Sequence, residues 1–182
     1  SEVVKGLLDA VLLRVTKPRF VPRLALRRGI PPEGKTLCVI AALLTSPDDA
    51  HALCARLEEY ALCNRDADEQ LLFGLLADLP EADMEHAPID PAILRAARAE
   101  IEALNARYGG RFYLFTRKRV PTSDGKWSAW ERKRGALLEL ARLVLDRPGA
   151  LHCAAGDAAA LRGTAYLLTL DADTRLTPGA AR

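Results

Sequence analysis

Two aspartates, Asp171 and Asp173, stand two residues apart directly after the apolar run Leu167, Leu168, Thr169, Leu170. Carboxylates about 4 Å apart repel by about 4 kcal/mol at an effective dielectric near 20, and a hard divalent cation relieves that repulsion. Mg²⁺ and Mn²⁺ held by one or two carboxylates usually complete their octahedra with water and phosphate oxygens. The pair, expected at the end of a buried strand, therefore points to a metal together with a nucleotide diphosphate. Context carries this reading, because Asp66, Ala67, Asp68 repeats the Asp-Ala-Asp spelling in a polar stretch read as a solvated loop. The competing readings of Asp171 and Asp173 are a strand-ending turn with local backbone hydrogen bonds and an aspartyl nucleophile of the haloacid-dehalogenase type. The nucleophile needs Asp-x-Asp-x-Thr after a first strand, whereas here Arg175 holds the fifth position after the last.

A diphosphate also needs cations. Residues 111–135 hold 8 basic and 2 acidic side chains, among them Arg117, Lys118, Arg119, Lys126, Arg132, Lys133 and Arg134, with Trp127 and Trp130 interleaved. Lys133 and Arg134, beside Gly135 at an expected helix N-terminus, are the diphosphate candidates, and the tryptophans suit sugar stacking. Asp78, closing another apolar run, is the candidate contact to a base or ribose; its alternative role is a turn residue before Pro80. His51, His86 and His152 are too scattered for a catalytic base or metal triad, and no Walker loop, Gly-x-Gly-x-x-Gly or serine elbow occurs.

The elements that must position these groups follow from pattern. Val3, Val4, Leu7, Leu8, Val11 and Leu12 recur at helical spacing, giving an amphipathic helix capped by Ser1 and ending near Thr16. Pro18, Pro22, Pro31, Pro32 and Gly34 make 17–35 a connector. The nine-residue run 36–44, apolar beyond Thr36, suits a parallel strand covered on both faces. Ser46, Pro47 and the acidic Asp48 and Asp49 then open a helix. A strand over 70–77, a helix from Asp90 and Pro91 to Gly109, a strand over 111–116, a helix from about Trp130 to Leu145 and a strand over 165–170 complete the order. Such alternation predicts an α/β domain with a mainly parallel sheet. Its right-handed crossovers would bring Leu44, Asp78, Arg117 and Asp171 to one edge, where open sheets bind ligands.

In 182 residues, 49% apolar and 27% charged residues describe a globular domain and exclude a disordered or collagen-like chain. No apolar run reaches the roughly 18–20 residues that span a bilayer. Cys38, Cys54, Cys63 and Cys153 lack metal-ligand spacing and read as reduced, buried thiols. The net charge of +2 hides segregation: 46–105 holds 4 basic and 14 acidic side chains, which makes a nucleic-acid partner unattractive. A start without methionine and the turn Thr177, Pro178, Gly179 shortly before Arg182 suggest a piece of a longer polypeptide.

The run from Trp127 to Gly135, continued by Leu137, Glu139 and Leu140 and joined to Tyr166–Thr174, resembles the glycosyltransferase region of cyclic β-1,2-glucan synthases. Pro22, Arg23, Leu24, Gly29, Ile30, Pro31 and the strand at 36–44 are similar to the segment leading into that region, so the likeness spans roughly 20–182. It implies a GT-A-like, Rossmann-type α/β fold truncated after the Asp-x-Asp strand. The amphipathic helix and the Pro/Arg-rich connector would occupy 1–35 and the nucleotide-sugar-binding part 36–182. It also implies UDP-glucose as donor, a growing glucan as acceptor and Mn²⁺ or Mg²⁺ as cofactor. Asp78 would then face the nucleoside, Lys133 and Arg134 the diphosphate, and Asp171 and Asp173 the metal. The implied setting is the cytoplasmic side of a bacterial inner membrane, where the rest of the full-length protein would be the partner. The general base of inverting relatives comes from well beyond the Asp-x-Asp strand, while nine residues, the last of them Arg182, follow Asp173. No catalytic residue is therefore assigned within the chain. The base is expected beyond Arg182, and the fragment alone is expected to be inactive. The alternative is a non-catalytic module docking on an anionic membrane or another domain through its basic tract and first helix.

Overall fold

The computed structural model describes residues 2–16 and 29–176, excluding the side chains of Asp66 and Asp68. The Ser1 cap, connector residues 17–28, the turn at 177–179 and the terminal Arg182 lie outside the described residues. Helices α1 (Glu2–Val15), α2 (Pro47–Cys63), α3 (Asp90–Tyr108) and α4 (Arg132–Val144) accompany strands β1 (Thr36–Leu43), β2 (Leu71–Asp78), β3 (Phe112–Arg117), β4 (Val120–Pro121), β5 (Trp127–Ser128), β6 (Leu151–Ala155) and β7 (Tyr166–Asp171).

The main sheet runs β6-β3-β2-β1-β7. β3, β2, β1 and β7 are parallel and β6 is antiparallel at one edge, which gives the expected mostly parallel, Rossmann-like α/β sheet. The chain steps outward from β1 to β2 to β3, then returns to add β7 on the other side of β1. That reversal is the topological switch point, beside which open α/β sheets hold their ligands. Register brings the proposed edge together: Leu43 pairs with Asp78, Ala41 with Asp171, and Ala77 with Thr116.

Strand alternation fills both faces. Cys38, Ile40, Phe73, Leu75, Phe112 and Leu114 pack under α2 and α3. Leu37, Val39, Leu72, Tyr113 and Phe115 pack under α4 together with Leu151 and Leu161. The β2 position between Phe115 and Val39 must be glycine, because a Cβ on Gly74 would come 2.7 Å from Phe115 and 3.0 Å from Val39.

Helix boundaries follow local chemistry. The Ser46 side chain accepts from Asp49 N, while Asp49 Oδ2 accepts from Ser46 N, closing the predicted capping box. Gly109, at φ 81°, ends α3 in the left-handed conformation that glycine tolerates.

The structure departs from expectation in three places. Neither β6 nor the short β4–β5 hairpin, in a stretch read as a polar loop, was foreseen. β7 is an edge strand in which Leu170 is buried but Leu167 and Leu168 are only half-buried, not a strand covered on both faces. α1 forms, yet none of its side chains is buried. Among the described residues no helix is long and apolar enough to cross a membrane.

Candidate functional site at the switch point

A cavity of about 270 Å³ opens at the carboxyl ends of β1 and β2. Its floor is Ala41, Ala42, Leu43, Leu76 and Leu79; Asp78, Glu81, Arg132 and Lys133 supply charge; Ser128, Ala129 and Ala136 close it. An apolar floor with a few convergent polar groups is the usual make-up of a small-molecule site.

Arg117, the last residue of β3, is outside the lining but braces two of the cavity's residues, Asp78 and Arg132. Its Nε and Nη2 each donate to a carboxylate oxygen of Asp78 at 2.7 Å. The same guanidinium donates to Trp130 O at 2.7 Å and to Arg132 O at 2.5 Å. The pair is almost wholly buried, with side-chain exposures of 2% and 10%. Arg117 thus ties the end of β2 to the backbone that opens α4.

That backbone is unusual. Glu131 and Arg132 lie at φ 54° and 44°, left-handed values that cost non-glycine residues about 1–3 kcal/mol each and tend to cluster at functional sites. Gly135 makes the arrangement possible, since a Cβ there would stand 2.1 Å from Trp130 O and 2.9 Å from Arg117 Nη1. α4 therefore begins beside the cavity without a side-chain cap, presenting the positive end of its dipole there.

A second buried arginine holds the neighbouring loop. Arg119 binds both oxygens of Asp90, at 2.5 and 2.9 Å, and donates to Pro80 O at 2.6 Å and Glu85 O at 3.0 Å. The Arg119 hydrogen bonds hold the Asp90 carboxyl below the usual carboxylate range. The short β4–β5 hairpin pairs Trp127 with Ala82, and Lys126 binds Asp83.

The sequence candidates now have places. Asp78 lines the cavity, and after the bidentate Arg117 its carboxylate retains lone pairs for a further donor. Lys133 lines the cavity and its ammonium contacts Asp171 Oδ1. Asp171 and Asp173 are exposed at the end of β7. Arg134 points elsewhere, paired with Glu131 at 2.9 Å. Trp127 and Trp130 are not among the cavity's lining residues. The second Asp-Ala-Asp falls in the 3-10 turn Arg65–Gln70 between α2 and β2. The general base was expected beyond Arg182, itself outside the described residues, so no residue of this cavity is given that role.

Sequence reading missed three roles. Arg132 joins Lys133 in the lining, whereas Arg117 and Arg119 serve as internal clamps and not as a free basic surface. The available signal was an arginine closing an apolar strand whose parallel neighbour closes in aspartate.

Two oxygen-donor carboxylates with open space around them suit a hard cation, and the Lys133 ammonium already stands against one as a cationic partner. Among the described residues no cluster of three or more His, Cys, Asp or Glu could hold a metal alone, so any ion here would depend on water or ligand oxygens. The three histidines sit apart, beside Glu100, Glu85 and Thr116. The Cys38 and Cys54 thiols are buried, which pushes both up to about 12; Cys63 and Cys153 are only half-buried, and all four are free.

Sheet order, switch-point cavity and uncapped helix start together define a Rossmann-like α/β unit with a charged cavity at the carboxyl ends of its strands. No protein-family profile matches the chain. A curated protein, cyclic β-(1,2)-glucan synthase NdvB of Rhizobium meliloti (strain 1021), is 35% identical over 181 residues. The chain is thus a relative of one segment of a cyclic β-(1,2)-glucan synthase, as the motif resemblance implied. The match takes in 97% of this chain and 6% of that protein's length.

Proposed function

We propose that this chain is the donor-binding part of a glucosyltransferase that uses UDP-glucose to extend a β-1,2-glucan within a longer membrane protein. The supporting observation is that Asp78 and Lys133, from separate elements, line the switch-point cavity, and that Lys133 reaches from it to Asp171, which is outside the lining. The likeness to a cyclic glucan synthase supplies the sugar chemistry.

Asp78 accepts a hydrogen bond from the nucleoside, with Arg117 fixing its orientation. Lys133, Arg132 and the α4 N-terminus receive the diphosphate. Asp171 and Asp173 hold Mn²⁺ or Mg²⁺. When bound, that ion neutralises the charge developing on the departing UDP. Arg134 reaches the diphosphate only by releasing Glu131. This chain spans 6% of the length of the cyclic glucan synthase it matches, and the general base and acceptor groove of an inverting transfer are assigned to none of its residues. The corresponding location is the cytoplasmic face of a bacterial inner membrane.

Calorimetric titration of UDP and UDP-glucose tests the reading. Binding should strengthen with Mn²⁺ or Mg²⁺, and Asp171→Ala or Asp173→Ala should abolish the metal-dependent part. Equal UDP affinity with and without metal in folded protein overturns it.

The alternative, a docking module, keeps one support: α1 exposes Val3, Leu7, Leu8 and Val11. Two cations of its basic tract are buried against Asp78 and Asp90, while those paired with Asp83, Asp171 and Glu131 are exposed. Salt-sensitive binding to anionic vesicles, unaffected by Asp171→Ala, would favour it.

A further inference from the structure

Lys133 stands at once in the cavity lining and against Asp171. It cannot serve a carboxylate and a diphosphate equally. We infer that the Lys133–Asp171 ion pair is an exchangeable latch that couples metal to diphosphate: the ammonium holds the carboxylate in the empty site, and on loading moves to phosphate as the divalent cation takes Asp171. The inference rests on the donor-site reading above and specifies how that site is regulated.

Three observations carry it. The pair is exposed on both sides, 44% at Lys133 and 64% at Asp171, so it is weak and readily exchanged, in contrast to the buried Arg117–Asp78 pair. Its partners come from elements with different ligands to serve: α4 opens at the cavity, and β7 ends at the carboxylate pair. Lastly, Lys133 sits in the first turn of α4, where the helix dipole disfavours an ammonium and favours an arriving anion.

Either ligand arriving alone must break the latch, whereas two arriving together break it only once. The result is positive coupling beyond the direct attraction between metal and phosphate, and by linkage it is reciprocal. Metal alone binds poorly to the resting site, and the metal–diphosphate complex is the species captured.

The test measures three quantities on the full chain: Mn²⁺ affinity without nucleotide, by electron paramagnetic resonance of free Mn²⁺, and UDP affinity with saturating Mn²⁺ and with chelator, by calorimetry. Lys133→Met, with Lys133→Gln as a second variant, should bind Mn²⁺ alone about two- to fivefold tighter, the range an exposed ion pair supports. The ratio of UDP affinities with and without Mn²⁺ should fall by a similar factor, about two- to fivefold. Lys126→Met removes the same charge from the Asp83 pair and should change neither quantity. Unchanged Mn²⁺ affinity, an unchanged ratio, or an equal response in Lys126→Met overturns the latch. If Asp171→Ala still abolishes metal-dependent UDP binding, the donor-site reading survives that failure. UDP binding that ignores metal in every variant removes both.

Discussion

One basic tract supplies two kinds of cation. Arg117 and Arg119 are buried, each gripping a carboxylate bidentately and two backbone carbonyls besides. Lys133 and Arg134, further along the same tract, sit in exposed pairs with a single partner each. Removing one member of a buried pair leaves an uncompensated charge and costs about 3–5 kcal/mol, whereas an exposed pair is worth about 0–1 kcal/mol. The difference separates scaffold from site. The arginines fix the shape of the crevice, and the exposed cation remains free to answer a ligand.

The largest effect should come from Arg117→Met. Burying Asp78 without its partner and freeing the carbonyls of Trp130 and Arg132 should cost about 3–5 kcal/mol in denaturant unfolding. A loss below about 1 kcal/mol would erase the contrast between the two groups. Gly135→Ala comes next, since its Cβ would collide with Trp130 O. Relief requires moving the start of α4, at about 1–3 kcal/mol, with UDP binding lost as well.

Asp90 sharpens the comparison through pH. Arg119 depresses its folded-state pKa, so the contribution is complete above the unfolded value near about 4 and disappears as pH falls through the depressed one. Asp90→Asn should lower stability at neutral pH and flatten the acid limb of the stability profile. A parallel downward shift with the limb unchanged would contradict that role. The smallest stability change belongs to Lys133→Met, within about 1 kcal/mol of the parent, although UDP binding in Mn²⁺ should weaken.

Much of this division was visible in the residues and some was not. Eight consecutive apolar residues at 37–44 behind Thr36, and the punctuation by Ser46, Pro47 and Gly109, led directly to β1, α2 and the end of α3. These are local signals that tertiary packing had no cause to override. β6 escaped because Leu151–Ala155 is short and has little β-branched character; it is made by antiparallel pairing to β3, a non-local event. The exposure of β7 also depends on which neighbour the sheet supplies, and composition does not encode that. Charge counting placed the tract 111–135 near an anion, yet could not show that two of its arginines are satisfied internally by Asp78 at the end of β2 and Asp90 at the start of α3. The carboxylate at the end of β7 was legible, but its contact with Lys133 depends on α4 folding back across the sheet.

The two Asp-Ala-Asp sequences allow the most direct test of the central claim. With UDP bound, substoichiometric Mn²⁺ should broaden amide resonances first at Asp171–Thr174 and Lys133, leaving Arg65–Gln70 sharp. Broadening centred on Arg65–Gln70, or spread evenly over the acidic surface, would contradict a cation held at the end of β7.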